Sequence, residues 1–181
     1  MLPESGPDGM LPPGRYRMTR DEVRARFVDG RGTQRAALWR DWEAATSLLG
    51  RTVAINAAWL HGAFLSNADQ PPTVQCVYWA EDHELGKARL DPTAAKVLRA
   101  FALPGEVRRV VGVKVDTGLA GWHCRPDMRD RDERFAQYAL RRGEIDDLLQ
   151  RSSSGLRGAE PVREDAVPRR GYVEVIIGGY I

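Results

Sequence analysis

Val53-Ala54-Ile55-Asn56-Ala57-Ala58-Trp59-Leu60-His61-Gly62-Ala63-Phe64, together with Thr73-Val74-Gln75-Cys76-Val77-Tyr78-Trp79, decides the fold of this chain. Val53 to Leu60 and Val74 to Trp79 are apolar runs of strand length bounded by Gly or Pro, so each reads as a buried strand. Between them lie a turn at Gly62 and a polar loop, Ser66-Asn67-Ala68-Asp69-Gln70-Pro71-Pro72. The two prolines come so soon after the turn that little or no helix fits there.

Thr19-Arg20-Asp21-Glu22 is a capping box that starts a short helix to about Phe27, with Val23 and Phe27 on its apolar side. Thr33 caps a longer helix carrying Leu38, Trp42, Ala45 and Leu49 and ending at Gly50. Asp91 as cap and Pro92 at the first helical position open another, which runs to Pro104-Gly105. Val110 to Thr117 is valine-rich and reads as a strand. Asp130 to Gln150 is helical, with Gly143 splitting it in two. Gly171 to Ile177 closes the chain as a further strand. Residues 1–15 read as a flexible Pro- and Gly-rich arm, residues 16–181 as one domain, and about 151–170 as a long connector. The element order predicts an α+β fold, a small mixed β-sheet with helices packed on it.

The composition narrows the function classes. The chain has 181 residues and 43% hydrophobic content, enough for one domain with its own core. A net charge of +2 with interspersed signs disfavours a nucleic-acid binder. The N-terminus lacks a signal-peptide pattern and no apolar run is long enough to span a membrane, so a membrane partner is not expected. Cys76 falls in an apolar strand, where a free thiol is a small hydrophobe, which fits a reducing cytoplasm.

The strand, Gly turn, loop and second strand resemble the active-site region of the DNA polymerase beta superfamily. The chain is more closely similar to an uncharacterised nucleotidyltransferase-like family of high-GC bacteria and their viruses, whose pattern is Gly-Ser-Phe, a short loop, then Pro-x-Asp-x-Asp and an apolar strand. The similarity extends over Leu11-Pro12-Pro13-Gly14, Glu84-Leu85-Gly86-Lys87-Ala88, Leu90-Asp91-Pro92, Val115-Asp116-Thr117 and Arg163 to Val175. Where that pattern has Ser, Asp and Asp, this chain has Ala63, Thr73 and Gln75, and only Asp116 stands at the place of the third carboxylate.

Nucleotidyl transfer of that kind uses two metal ions about 3.5–4 Å apart, and magnesium is held by carboxylate oxygens together with substrate phosphates. Neutral Thr73 and Gln75 do not replace two carboxylates. The resemblance therefore implies a degenerate member with a vestigial pocket of Gly62, Ala63, Thr73, Gln75 and Asp116, with no catalytic residue and no metal. His61, Gly62 and Asp116 are the residues expected to face a bound molecule. The expected role is a binding or regulatory module whose partner is another protein or a second copy of the chain, with weak or absent nucleotide binding and no cofactor. Two alternatives stand beside it. One is an active transferase modifying RNA or protein, using magnesium with Asp116 and a second acid such as Asp69 or Glu81. The other is a structural or assembly protein, in a virion for instance, whose terminal strand pairs edge to edge with a neighbour.

The remaining candidates carry less. His61, His83 and His123 lack zinc-site spacing, even with Cys124 beside His123. Gly112, Gly118 and Gly121 do not form a dinucleotide loop. Trp39, Trp42, Trp59, Trp79 and Trp122 are too scattered for a stacking platform, and Trp42 and Trp59 sit in core-like patterns. The arginines Arg141, Arg142, Arg151, Arg157, Arg163, Arg169 and Arg170 have acidic neighbours that dilute their field.

Overall fold

The computed structural model describes residues 2–123, 125, 127, 129, 132–153 and 159–180. Its centre is a five-stranded mixed sheet in an α+β fold. The strands are β1 (Gly14–Met18), β2 (Ala57–His61), β3 (Val74–Glu81), β4 (Val115–Trp122) and β5 (Gly171–Ile176), in the spatial order β1-β5-β2-β3-β4. The β2 strand is antiparallel to both of its neighbours, while β1 is parallel to β5 and β3 to β4. The helices are α1 (Arg20–Phe27), α2 (Thr33–Gly50), α3 (Asp82–Ala88), α4 (Pro92–Ala102), α5 (Glu106–Val111) and α6 (Glu133–Gln150).

Alternation along the strands sends successive side chains to opposite faces. One face carries Ala58, Leu60, Val74, Cys76, Tyr78, Val115, Val173 and Val175, which join Trp42 and Leu49 of α2, Leu98 and Phe101 of α4 and Val107 of α5 in the main core. The other face carries Trp59, Trp79, Ala120 and Tyr172, and among the described residues only Ile145 and Leu149 of α6 add buried apolar groups to it. Burial of the Cys76 thiol in the main core pushes its pKa up to about 12, which makes it an unreactive packing residue.

Local signals set several boundaries. Thr19 Oγ1 accepts from the Glu22 amide and Glu22 accepts from the Thr19 amide, the reciprocal pairing of a capping box. Asp91 accepts from the Ala94 amide and Pro92 occupies the first helical turn, as the sequence predicts.

Other boundaries differ from the sequence reading. Gly32 rather than Thr33 takes the cap position of α2, and no side chain caps that end. The first central strand begins at Ala57, because Val53 and Ile55 turn into the core instead of extending the ladder. Val110 and Val111 end a helix rather than begin a strand, since Gly112 adopts a left-handed conformation (φ 80°) that closes α5 and delays the strand to Val115. Helix α6 continues through Gly143, whose missing Cβ would face open space, so the glycine weakens the helix without breaking it. The N-cap of α6 is Asp132, and the sequence-predicted start at Asp130 lies outside the described residues.

Two strand relationships are absent from the sequence reading. Gly14–Met18 forms β1, and β5 lies between β1 and β2, so the terminal strand is internal to the sheet instead of an exposed edge. Ahead of β1, Leu11 is buried and its carbonyl accepts from the Gly171 amide. Among the described residues, no helix is long and apolar enough to cross a membrane.

Candidate functional site

The strand register lines up three of the residues singled out in the sequence. His61 of β2 stands opposite Gln75 of β3, and Gln75 stands opposite Asp116 of β4. They form one row across three neighbouring strands, with the parity of Trp59 and Trp79, and so belong to the thinly covered face. Gly62 follows directly, opening a one-turn 3-10 helix over Gly62–Leu65. Its φ of 78° is a backbone conformation that residues with a Cβ rarely adopt. The Gln75 side-chain oxygen occupies the space a Cβ on Gly62 would fill. The turn and the middle of the row therefore close on each other.

The charge that remains in the row is opposed. Arg108 of α5 brings Nε to 3.7 Å from Asp116 Oδ1, an oxygen sealed from solvent that accepts no hydrogen bond. At the other end of the row, burial, and then the nearby Arg170 charge, push the His61 pKa down to about 3, so its imidazole is neutral at ordinary pH. His61 Nδ1 is likewise buried without a partner. Thr73 is buried one residue before β3, and Ala63 supplies only a carbonyl, which accepts from Ser66.

The loop after the turn is held by a residue the sequence reading passes over. Arg35 of α2 is 1% exposed, and its guanidinium donates to the carbonyls of Phe27, Phe64, Ser66 and Ala68 at 2.6–3.0 Å. An arginine placed in a helix beside Trp39 and Trp42 reads locally as a surface charge. Its burial depends on backbone oxygens more than thirty positions away in the case of Ser66 and Ala68.

These residues do not fit a pair of divalent ions. Hard cations need several oxygen ligands with carboxylates among them, and the row offers one carboxylate already opposed by Arg108, one amide folded onto Gly62 and one neutral imidazole. The alternative acids stand outside this row. Asp69 is exposed in the loop. Glu81 lies six residues along β3 from Gln75, about 20 Å at strand rise, where it accepts from Asn56 Nδ2. Glu81, Asp82 and His83 bring donor atoms within 4.8 Å of one another. Each already has another partner: Asn56 for Glu81, His123 and Arg134 for Asp82, and Glu84 for His83. His123 bonds Asp82 at 2.7 Å and so belongs to that end of the sheet rather than to Asp116, while Cys124 lies outside the described residues.

The tryptophans pack rather than form an open platform. Trp42, Trp59 and Trp79 are fully buried, with Trp59 and Trp79 rings 4.7 Å apart at 50°. A model described as "Family of unknown function (DUF6932)" matches residues 3–175. No curated protein and no solved structure matches the chain.

Proposed function

We propose, from the premise that the chain belongs to the DUF6932 family, that it is a nucleotidyltransferase-fold protein without transferase activity, acting as a binding or regulatory module for another protein. The observation that carries this reading is the register row His61, Gln75, Asp116 beside the Gly62 turn. Of the residues at the vestigial positions, Gln75 and Asp116 are neighbours across β3 and β4 with Gly62 against Gln75, which supports a shared site. The same row lacks the negative charge that metal-dependent phosphate chemistry demands. His61 Nδ1 and Asp116 Oδ1, both buried and without a hydrogen bond among the described residues, support retained binding, because such atoms point to a polar guest or water that completes them.

The active-transferase alternative is less well supported, since neither acid named for it, Asp69 or Glu81, belongs to the row of Asp116. The assembly alternative loses its stated edge, because β5 is flanked on both sides.

Isothermal titration calorimetry with ATP, in the presence and absence of magnesium, tests the proposal. The expected result is no magnesium-dependent binding. Tight magnesium-dependent binding that Asp116→Asn abolishes would overturn it.

A further inference from the structure

A cavity of about 730 Å³ opens on the thinly covered sheet face between β1, β2 and α6, on the same face as the His61 row but lined by other residues. That volume is typical of sites for small organic ligands, which occupy roughly 300–1,000 Å³. Its floor is Trp59, with the guanidinium of Arg15 5.3 Å and that of Arg142 6.0 Å from the indole centroid. Its α6 wall presents Phe135 and Tyr138, two partly exposed aromatic rings 6.1 Å apart.

The charges in the cavity are not equally answered. Arg15 faces the Glu174 carboxylate at 4.0 Å. Asp146, also in the lining, accepts from the Tyr172 hydroxyl and from Gln150 Nε2. Arg142 has no carboxylate within 4.0 Å among the described residues. It is flanked by the rings of Trp59 and Trp122, the latter at 5.3 Å, and its Nε is buried with no acceptor. Indole faces hold a guanidinium in place without using its N–H groups. A planar fork fixed in this way matches an oxyanion in two-point contact.

We infer that this cavity is a binding site for a small flat aromatic molecule bearing one oxyanion, carboxylate or phosphate, with the oxyanion on Arg142 and the ring against Phe135 and Tyr138. The cavity's charges, Arg15 facing Glu174 and Arg142 and Asp146 both in the lining, leave little net field, so recognition rests on local contact with the Arg142 guanidinium and on ring contact rather than on long-range attraction. The inference stands apart from the reading of the His61 row, since none of that row lines the cavity.

Calorimetric titration of the full chain with 2-naphthoate, 2-naphthyl phosphate and the uncharged 2-naphthylmethanol tests it. At least one anion should bind saturably, with a preference over the alcohol of about tenfold or more, the scale of one charge-assisted hydrogen bond. The better anion identifies the oxyanion class. Arg142→Gln should remove the preference, and Arg142→Lys, which keeps the charge but loses the fork, should reduce it. Ala139→Trp, at an exposed lining position, should block all three compounds without shifting the melting temperature. Absence of saturable binding by either anion, equal affinity for the alcohol, or a preference that survives in both Arg142 variants would overturn the inference.

Discussion

The side-chain oxygen of Gln75 fills the place where a Cβ on Gly62 would stand, which ties the turn after β2 to the middle of β3. A carboxylate at position 75 that was turned toward a metal would leave that space open. The amide instead acts as a lid on the turn, and the contact separates two contributions to the turn's stability.

Gly62→Ala should destabilise the fold by about 1–2 kcal/mol, the cost of a non-glycine residue held in the left-handed region. The steric part is smaller, because the obstructing atom is the end of a flexible side chain. In a Gln75→Ala background the cost of Gly62→Ala should fall by about 0.5–1 kcal/mol, the lower end of the coupling seen between contacting residues. Urea melts of the four variants measure this. Strict additivity would contradict the contact.

Arg35→Met should cost about 3 kcal/mol or more, because each buried carbonyl left without a donor costs about 1–3 kcal/mol. Arg35→Lys should recover only part of that, since one ammonium does not reach four separate oxygens. Hydrogen exchange should show the loss concentrated in the segment from Phe64 to Gln70, and a uniform loss would contradict the role of Arg35 as the loop's anchor.

The depressed His61 pKa sets a pH dependence. Unfolding returns the imidazole to its ordinary value near 6.5, so between about 3 and 6.5 the unfolded chain binds the extra proton. Stability linked to His61 is therefore complete above pH 6.5 and falls as the pH drops toward 3. The slope is at most about 1.4 kcal/mol per pH unit, and less to the extent that the partly exposed ring keeps its hydration. Denaturant midpoints for the wild type and His61→Gln should converge in slope above pH 6.5 and diverge below it. Identical profiles from pH 4 to 6.5 would show that the imidazole titrates freely.

If the row has the metal-site geometry that the proposed fold implies, adding carboxylates to it should create cation binding. Ala63→Ser, Thr73→Asp and Gln75→Asp together, with Arg108→Gln to release Asp116, should create saturable manganese binding detectable by electron paramagnetic resonance. The metal-free variant should be less stable than the wild type, because three carboxylates then repel one another across adjacent strands. Arg108→Gln alone should change stability by less than about 1 kcal/mol, as expected for a partly exposed ion pair, and should not bind manganese. A quadruple variant that folds and still ignores manganese would show that the row does not have metal-site geometry.

The features legible in the sequence are those whose cause is local. The Thr19 capping box, the Asp91-Pro92 start and the apolar periodicity of Leu38, Trp42, Ala45 and Leu49 depend on residues within a turn or two, and each appears in the structure. Short α3 and α5 were not legible, because helices of six or seven residues form through tertiary packing more than through propensity. Strand β1 has alternating Arg and apolar residues, but its partner lies more than 150 positions away. At the site, the order of motifs was sufficient to bring His61, Gln75 and Asp116 to notice. The opposition of Asp116 by Arg108, the Gln75 lid and the anchoring by Arg35 all join distant segments, and no spacing rule encodes them.

The position of β5 between β1 and β2 also orders events during synthesis. A nascent chain leaving the ribosome can pair β2 with β3 and β3 with β4 early, but its opening strand has no neighbour until the final strand emerges and slots in beside it. Until then the β2 backbone is bare along one side, a template for pairing with other chains. Premature termination before Gly171 would thus leave two unsatisfied strand edges in the middle of the sheet, and such fragments should aggregate rather than persist as a smaller version of the same fold.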